Sequence, residues 1–435
     1  MNSIKKRILF IGGNFSPEQT GIGKYSGEMI HWLSKHGYEC FVITTYPYYP
    51  QWQILDSHRK GSFWYKKEIN QVGKNLQNPV TVIRCPHYVP KKPSGLKRIL
   101  SEFTFLFSSS FVVLGTLFKR KYDFVFTVAP PFHLGLHAFL YKKIKGAKLL
   151  YHIQDLQIEV AQNLKIINSK SFFKLLFGVE KFILNRADHI SSISAGMIRN
   201  IKIKCDKEIF FLPNWVDIEN FYPLYNKQKL KALFGLKAED RIILYSGAIG
   251  EKQGLEAILH AAKHFQNVPD LKFVICGSGP YKEDLIEMSK DMKLQNVIFI
   301  HLQPVENLNS LLNVANAHLI LQKNGASDLT MPSKLSTILA VGGLAIVTAS
   351  PGSSLYEVIN KSKTGILIEP ENQEALNASI HYAISNTHKQ LEINARQYAE
   401  NHLSIDKILS AFAANCLNND KLQHEVVRKE MLLTI

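Results

Sequence analysis

Short apolar runs, rich in β-branched and aromatic residues, alternate along this chain with longer segments of helical periodicity. A short run that is apolar throughout predicts a strand buried on both faces, and a helix-length spacer between two such runs predicts a parallel crossover. The pattern predicts strands at residues 7–11, 39–44, 81–85, 123–128, 148–153, 189–193, 242–246, 272–276, 297–301, 318–321, 344–348 and 365–368.

Two such sets of strands in tandem predict an α/β protein with two Rossmann-like, doubly wound parallel-sheet domains. The length agrees, because 435 residues exceed what one hydrophobic core usually supports. We place an N-terminal domain at residues 1–210 and a C-terminal domain at residues 211–405. Residues 406–435 are expected to form a C-terminal helix, packed back toward the N-terminal domain, and a tail.

Basic charge is concentrated in the first half of the chain. Residues 1–200 hold 28 Lys and Arg against 11 Asp and Glu, a net charge of +17, whereas the remainder nets −1. The basic residues cluster at 84–98, 119–121 and 142–148. This asymmetry predicts an anionic partner, with nucleic acid, anionic lipid and a phosphorylated acceptor as the candidates. The alternative is a surface charged only for solubility.

Residues 99–118 are apolar and long enough to be considered membrane-spanning. Glu102, Thr104 and three serines weaken that interpretation. Lys and Arg at both flanks suit an interfacial helix, and a helix packed on its own domain is the third alternative. The apolar start of the chain stops at Gly12, too soon for a signal peptide. Together with scattered cysteines and no C-x-x-C, this predicts a cytoplasmic protein.

The loops after the predicted strands are candidate ligand sites, because ligands of doubly wound sheets bind at the carboxyl ends of the strands. Gly21 and Gly23 follow the first strand and open a helix, where a phosphate or sugar can approach closely. His152 stands at the end of strand 148–153. It is either a ligand-facing histidine that bonds a hydroxyl or transfers a proton, or a core histidine satisfied by the backbone.

The second half of the chain repeats this arrangement. Gly247 and Lys252 lie in a strand–turn–helix loop suited to phosphate, and Gly277 and Gly279 follow the next strand as small residues that leave room for a ligand.

Residues 328–343 form the most informative candidate site in the sequence. Asp328, the Pro332–Ser333 turn and Lys334 precede an apolar helical run that ends in a glycine pair. Unpaired N–H groups and the helix dipole favour an anion at such a helix start. The segment therefore predicts a phosphorylated ligand.

Several catalytic motifs are missing from the sequence. It has no D-x-D, no Walker A, no G-x-S-x-G and no His/Cys/carboxylate cluster at metal-ligand spacing. These absences disfavour a metal-dependent sugar transferase, a P-loop NTPase and a serine hydrolase, and we expect no metal site.

Taken together, the loops resemble those of the family 4 glycosyltransferases, and more closely the exopolysaccharide transferases of the colanic-acid type and their O-antigen relatives. The segments that carry the resemblance are NFSPEQTGIGKY (14–25), YPYYPQW (46–52), HIQD (152–155), LPNWVD (212–217), SGAIGEKQG (246–254) and PSKL (332–335). The resemblance implies a GT-B fold, in which two Rossmann-like domains face each other across a cleft. It also implies sugar transfer from a nucleotide donor with retention of configuration and without a tightly bound metal.

The resemblance also assigns roles to residues and exposes departures. The family holds the donor diphosphate with an arginine and a lysine, but those places fall on Ala248 and Gln253, which leaves Lys252 and Lys334 as the available cations. The carboxylate that grips the ribose falls on Thr337.

Four further residues match positions of the family. Asp328 is an approximate match to a donor-facing acid. His152 matches a histidine that contacts the donor sugar, and Gly21 and Gly23 match the loop near the acceptor and the diphosphate.

These assignments predict a nucleoside-diphosphate sugar as co-substrate, with UDP favoured over GDP, and no other cofactor. The basic domain is then expected to dock on the cytoplasmic face of the membrane, where a lipid-diphosphate-linked saccharide acceptor lies. No nucleic acid partner is expected. Two alternatives remain: a transferase with a soluble product, and a non-catalytic sugar-nucleotide or nucleic-acid-binding protein.

Overall fold

The computed structural model describes residues 5–18, 21–70, 79–163, 169–323 and 332–418. The chain forms two compact units. The first runs to Pro213 and includes the chain again from Leu409, and the second is Asn214–Ile408. The change of unit at Pro213 lies close to the boundary placed at residue 210.

Strands occur from the beginning to the end of each unit. The strands are β1 (Arg7–Ile11), β2 (Glu39–Thr45), β3 (Lys66–Asn70), β4 (Val80–Cys85), β5 (Phe124–Ala129), β6 (Lys148–Ile153), β7 (His189–Ser192), β8 (Ile209–Phe211), β9 (Arg241–Ala248), β10 (Leu271–Ser278), β11 (Val297–Ile300), β12 (Ala317–Ile320), β13 (Ala345–Thr348) and β14 (Gly365–Ile368).

Helices fill most of the connections between these strands. They are α1 (Gly21–Lys35), α2 (Asp56–Arg59), α3 (Gly95–Thr116), α4 (Gly135–Lys145), α5 (Gln157–Asn163), α6 (Lys170–Arg186), α7 (Ala195–Lys202), α8 (Lys227–Ala232), α9 (Glu256–His264), α10 (Lys282–Asp291), α11 (Val305–Val314), α12 (Lys334–Ala340), α13 (Ser354–Ser362), α14 (Gln373–Ser385), α15 (Lys389–Tyr398) and α16 (Ile405–Phe412).

The first unit is built on an eight-stranded sheet in the order β3-β4-β2-β1-β5-β6-β7-β8. The strands pair in parallel except β3, which pairs antiparallel with β4 at one edge. Every residue of β1 and β5 is buried, because helices cover both faces of the sheet. This double burial explains why the runs are apolar throughout.

The second unit is built on a six-stranded, fully parallel sheet in the order β11-β10-β9-β12-β13-β14. Alternate residues of its central strand join different hydrophobic clusters. Ile242 and Leu244 pack in one cluster, with α12, and Ile243 and Tyr245 pack in the other, with α9. Doubly wound parallel sheets in both units confirm the predicted fold class.

The chain end returns to the first unit. The predicted C-terminal helix is present as α16, and a π-helical turn, Ala413–Asn418, follows it. Phe412 packs its ring against those of Phe126 and Phe210, with centroids 5.9 and 6.2 Å away. Lys6 Nζ donates to the carbonyl oxygen of Leu417 at 2.7 Å. The described part of the C-terminal segment thus completes the core of the first unit.

The apolar segment near residue 100 forms α3, the 22-residue helix Gly95–Thr116. It is the one helix among the described residues that is long and apolar enough to cross a membrane, and one third of its most apolar window is buried. It is joined to the sheet of the first unit through Tyr65, whose Oη donates to the carbonyl oxygen of Ser108 at 2.8 Å.

Candidate functional site

The sheet of the second unit reverses its winding at β9, which has β10 on one side and β12 on the other. Loops that leave the two sides of such a switch point run apart and open a crevice at the carboxyl edge of the sheet. Gly247 of β9 and Gly277 of β10 lie side by side at this edge. The carboxyl edge of the second sheet is therefore the candidate ligand site.

Lys334 reaches this edge from the first turn of α12. Its Nζ lies 3.6 Å from the ring centroid of Tyr245. A Cβ on Gly247, where φ is +149°, would lie 3.2 Å from Cε and Nζ of Lys334. Tyr245 Oη donates to the carbonyl oxygen of Ala248 at 2.6 Å, which fixes the ring. The structure therefore brings together Gly247 and Lys334, which sequence analysis had selected separately.

The ammonium of Lys334 is buried against the face of the Tyr245 ring. Its Nζ has no hydrogen-bond partner among the residues that the structure describes. Burial lowers the pKa of Lys334 from 10.5 to about 7, because a charge without water or a partner is unfavourable. An ammonium carries three donors, so an anion that enters this site would find unused hydrogen bonds and an uncompensated positive charge.

The residues around Lys334 are held by the helix itself. The carbonyl oxygen of Pro332 accepts from the backbone N–H of Leu335 at 3.1 Å. Ser333 precedes the helix, but its side chain makes no capping hydrogen bond. Thr337 is buried, and its Oγ1 donates to the carbonyl oxygen of Lys334 at 2.9 Å. The hydroxyl at the expected ribose-binding place is thus bonded within its own helical turn.

Gly277 and Gly279 serve backbone packing. A Cβ on Gly277 would overlap the carbonyl oxygen of Gly247, and a Cβ on Gly279 would overlap the carbonyl oxygen of Ile249. The two glycines allow the loops after β9 and β10 to approach each other closely. This approach requires their small size. Their role in leaving room for a ligand stays a prediction.

Sequence reasoning missed a second lysine at this edge, Lys323, which follows β12. Its side chain lies 3.3 Å from the position of a Cβ on Gly254, in the loop after β9. Its Nζ lies 3.5 Å from Glu256 Oε1, which also accepts from Tyr281 Oη at 2.9 Å. The available signal was its place directly after a predicted strand, where a ligand-facing residue is expected.

Two predicted site residues cannot be placed. Asp328 lies outside the described residues. The backbone of Lys252 lies in a 3-10 turn, Glu251–Gln253, but its side chain lies outside what the structure describes. Their assigned roles stay predictions.

In the first unit, Gly21 and Gly23 begin α1 at the carboxyl end of β1, which is the switch point of that sheet. Gly21 has φ +58°, a conformation that favours glycine. A Cβ on Gly23 would overlap the carboxylate of Glu18. Gly23 thus makes room for a side chain of the unit itself.

That side chain is one of several largely buried carboxyls that sequence analysis did not select as site residues. Glu18 Oε1 accepts from the backbone N–H groups of Tyr48 and Tyr49 at 2.9 and 3.0 Å. Glu102 of α3 accepts from the amide of Gln157 at 2.9 and 2.8 Å. Burial raises the pKa of each carboxyl to about 7, so both titrate near neutral pH. Glu102 had drawn attention only as a lone charge in an apolar segment.

His152 lies inside the first unit. Its imidazole is 2% exposed, stacks on Phe126, and shares a 2.9 Å hydrogen bond between Nδ1 and Ser191 Oγ. Burial lowers the pKa of His152 to about 4, so the ring is neutral at pH 7. This environment matches the core alternative, although the bond is to a side chain and not to the backbone. A role in the reaction stays a prediction.

Potential metal ligands do not converge in the described ranges. Residues 5–18, 21–70, 79–163, 169–323 and 332–418 contain no group of three or more His, Cys, Asp or Glu placed to hold a metal ion. All five cysteines are buried and outside any disulfide.

The two halves of the chain match two protein families. The first matches the family described as "Glycosyl transferase 4-like domain" over residues 20–215. The second matches "Glycosyl transferases group 1" over residues 226–402. A protein of Escherichia coli (strain K12), named "Putative colanic acid biosynthesis glycosyl transferase WcaI", is 38% identical over 416 residues, which cover 93% of this chain and 98% of that protein.

Solved structures share the fold along nearly the whole chain. Sucrose-phosphate synthase of Thermosynechococcus elongatus superposes with a TM-score of 0.70 at 16% identity, covering 99% of this chain and 100% of that one. Anabaena Alr3699/HepE, solved with UDP and glucose, gives 0.68 at 13% identity, covering 94% and 99%. Both likenesses concern the fold.

Proposed function

Because the chain belongs to the glycosyltransferases of the GT-B fold, with a 4-like and a group 1 domain in one chain, we propose its reaction in more detail. It transfers a sugar from a nucleoside-diphosphate donor to a lipid-linked saccharide, with retention of anomeric configuration. The relationship to a protein named for colanic acid biosynthesis supports a role in building a surface polysaccharide.

One observation carries the donor site in this proposal: the buried ammonium of Lys334 lies beside Gly247 and has no hydrogen-bond partner in the ranges that the structure describes. A buried cation is unfavourable in the empty protein, and a diphosphate at the end of β9 would supply the missing counter-charge. Lys323, beside Gly254 on the same loop, is the second cation available to the donor. The two lysines take over the work of the arginine and lysine that the family places at Ala248 and Gln253.

These cations have a chemical role. When the bond between the sugar and the diphosphate breaks, negative charge grows on the departing phosphate oxygens. A positive charge that is already in place, inside a site from which water is largely excluded, stabilises that state. The lysines therefore do the work that a divalent metal does in other transferases, and the proposed reaction needs no tightly bound metal.

UDP is the proposed nucleotide. A structural neighbour, Anabaena Alr3699/HepE, was solved with UDP-glucose, which supports a uridine nucleotide over a guanosine one. A screen of nucleoside-diphosphate sugars as donors identifies the sugar.

We place the enzyme on the cytoplasmic face of the membrane, as a peripheral protein. The net charge of +17 on residues 1–200 supports attraction to anionic lipid, near which a lipid-diphosphate-linked acceptor would lie.

Donor turnover tests the site. Full-length protein is incubated with UDP- and GDP-sugars and a membrane extract as acceptor, and release of nucleoside diphosphate is measured. Lys334→Ala is expected to lower turnover about 100-fold or more, by analogy with removal of one group that stabilises transition-state charge. Lys290→Ala, which removes an exposed lysine of α10, is the matched control and should keep full activity.

His152→Ala is expected to lose turnover as well, through loss of a contact to the donor sugar. Because His152 is buried, the unfolding temperature of the His152→Ala variant is measured in parallel, so that a folding defect is recognised. Full activity in folded Lys334→Ala would refute the donor site, and full activity in folded His152→Ala would remove His152 from it.

A further inference from the structure

The outward face of α3 is apolar along its whole length. Its exposed large side chains follow one another at intervals of three or four residues, which places them on one face of a helix. They are 45–69% exposed. This stripe consists of Leu96, Leu100, Phe103, Phe107, Phe111 and Leu114. Phe118, 92% exposed, continues it by one more turn.

The inward face of the same helix is the more polar one. Four of its six buried positions are Ser or Thr (Ser101, Ser108, Ser109 and Thr116), and the other two are Phe105 and Val113. The hydroxyls of Ser108, Ser109 and Thr116 donate to carbonyl oxygens of the preceding turn. A surface helix of a water-soluble domain normally has its apolar face inward and its polar face outward. In α3 the larger apolar face points outward, so the stripe is not explained by the core of its own unit.

A neighbouring loop extends the apolar surface. Phe63 is 82% exposed and Trp64 is 67% exposed. The next residue, Tyr65, donates from Oη to the carbonyl oxygen of Ser108, which holds this loop against the middle of α3. An exposed tryptophan beside an apolar helix is typical of a membrane–water interface, where one end of the indole is wet.

Exposed basic residues flank both ends of the stripe. Lys91, Lys92, Lys97 and Arg98 lie at its start, and Lys119, Arg120 and Lys121 follow its end. No exposed acidic residue lies between Lys91 and Lys121, and Glu102 is bonded to Gln157. Apolar side chains between two basic clusters match an anionic lipid monolayer, with acyl chains beneath a negatively charged surface.

We propose that α3 lies in the plane of the membrane, with the stripe and Trp64 inserted into one leaflet of anionic phospholipid and the basic clusters on the headgroups. The inference rests on the membrane location in the proposed function and names the surface that makes it. A protein partner fits less well, because a typical protein interface carries several direct hydrogen bonds between the partners, whereas the stripe consists only of Leu and Phe.

The hydrogen bonds of its inward face argue against α3 as a membrane-spanning helix. Glu102 bonds Gln157, and Ser110 shares a 2.9 Å hydrogen bond with His137 Nε2. These bonds tie α3 to helices of its own unit, and a spanning helix would have to break them in hydrocarbon. A helix of 22 residues, about 33 Å long, instead lies flat and inserts only its outer side.

The orientation has a consequence for the acceptor. The amino end of α3 follows β4 and therefore lies at the carboxyl edge of the first sheet, where Arg98 packs on Trp52 with the guanidinium 5.1 Å from the ring centroid. With α3 flat on the membrane, this edge is at headgroup level. A lipid-linked saccharide could then reach it by moving sideways in the leaflet.

Vesicle binding of the full chain tests the proposal. Wild-type protein and the double variant Phe107→Ser/Phe111→Ser are sedimented with vesicles of phosphatidylcholine and phosphatidylglycerol in equal parts. The double variant is expected to bind about tenfold more weakly or worse, because it loses inserted apolar surface. Leu175→Ser/Ile203→Ser removes apolar side chains that are also well exposed but lie on other elements of this unit, and it should bind like wild type.

Fluorescence separates insertion from adsorption. In a Trp52→Phe background, which removes the other tryptophan that is not fully buried, lipids brominated in the acyl chains are expected to quench the emission of Trp64. The quenching should disappear when Trp64 is also replaced by Phe, since Trp32 and Trp215 are buried. Vesicle binding without quenching would overturn insertion and leave adsorption by the basic clusters. A dimer in vesicle-free solution that dissociates in Phe107→Ser/Phe111→Ser would overturn it in favour of a second copy.

The two proposals can fail separately. The double variant is expected to keep donor turnover with a detergent-solubilised acceptor, since the stripe is not part of the donor site. Wild-type protein that binds vesicles but turns over no donor would refute the proposed reaction alone. Equal vesicle binding by wild type and the double variant would refute the inserted stripe alone.

Discussion

The lysine at the start of α12 combines two properties that are rarely tolerated together. Its ammonium is buried, and it has no hydrogen-bond partner in the described part of the chain. Its pKa is 10.5 in the unfolded chain and about 7 in the folded one. Between these values the unfolded chain binds more protons, so the contribution of Lys334 to stability rises with pH in that window and is least favourable below pH 7.

The same pKa predicts how nucleotide binding depends on pH. A bound diphosphate favours the protonated ammonium, so above about pH 7 binding must take up a proton. The affinity for UDP is therefore expected to fall as the pH rises from about 7 to about 9, with a limiting slope of about tenfold per pH unit. Calorimetric titration with UDP measures the affinity, and buffers of different ionisation enthalpy report the proton uptake.

Lys334→Arg provides the control for this titration. A guanidinium stays protonated throughout the range, so any UDP binding that the variant retains should not depend on pH in this way. A pH-independent affinity in the wild-type protein would contradict the assignment of Lys334 to the diphosphate.

Sequence reasoning selected Lys334 but overlooked Lys323, Glu18 and Glu102. Lys334 lies in a recognisable segment, since PSKL is local in the chain. Lys323 matters because it touches Gly254, and Glu18 because it lies beneath Gly23. Such neighbours are set by packing between distant parts of the chain, which no local pattern encodes.

At the scale of elements, the strands buried on both faces were predicted and the two outermost strands of the first sheet were not. All twelve predicted strands are present, with ends shifted by at most two residues. The missed strands are β3, with the sequence KKEIN, and the three-residue β8. An edge strand needs no continuous apolar run, because one side lacks a partner and its outer face can meet water.

The close approach of β9 and β10 leads to a prediction about the second unit. Gly277→Ala would place a methyl group against the carbonyl oxygen of Gly247. Backbone cannot move aside as a flexible side chain can, so we expect a loss of at least about 2 kcal/mol in the free energy of unfolding. Urea denaturation followed by circular dichroism measures it.

Gly178→Ala is the matched control for this substitution. Gly178 lies inside α6, and a Cβ there would have no heavy atom within 4 Å. Alanine favours a helix over glycine by about 0.5–1 kcal/mol, so this variant should be as stable as wild type or more stable. Equal unfolding midpoints for the two variants would show that the strands can separate without cost.

For the whole molecule, the predicted glycosyltransferase family and GT-B fold are confirmed by the two family matches, the 38% identical relative and the shared fold. The chain passes from the first unit to the second and returns at Leu409. Its described end is held through Phe412 and through the bond from Lys6 to Leu417.

Because the chain re-enters the first unit at Leu409, we predict that the chain end stabilises this unit. Phe412→Ala removes a buried ring from the contact with Phe126 and Phe210. We expect it to cost about 3–5 kcal/mol, the usual range for removal of a buried phenylalanine. Thermal unfolding and limited proteolysis of the first unit are the measurements. Phe118→Ala removes an exposed ring and should leave the unfolding temperature unchanged; an equal loss in both variants would contradict the prediction.

The sequence by itself determined the two doubly wound sheets, the family and the lysine at the start of α12. Each follows from local pattern, because burial on both faces makes strands apolar throughout and the family segments are continuous in the chain. Only the tertiary structure decided that the ammonium of Lys334 finds no hydrogen-bond partner among the described residues and that the close approach of β9 and β10 requires glycine at 277 and 279. It also decided which side of α3 faces outward. Helical periodicity places Leu and Phe on one face, but whether that face meets the core or the surroundings depends on what the sheet leaves uncovered.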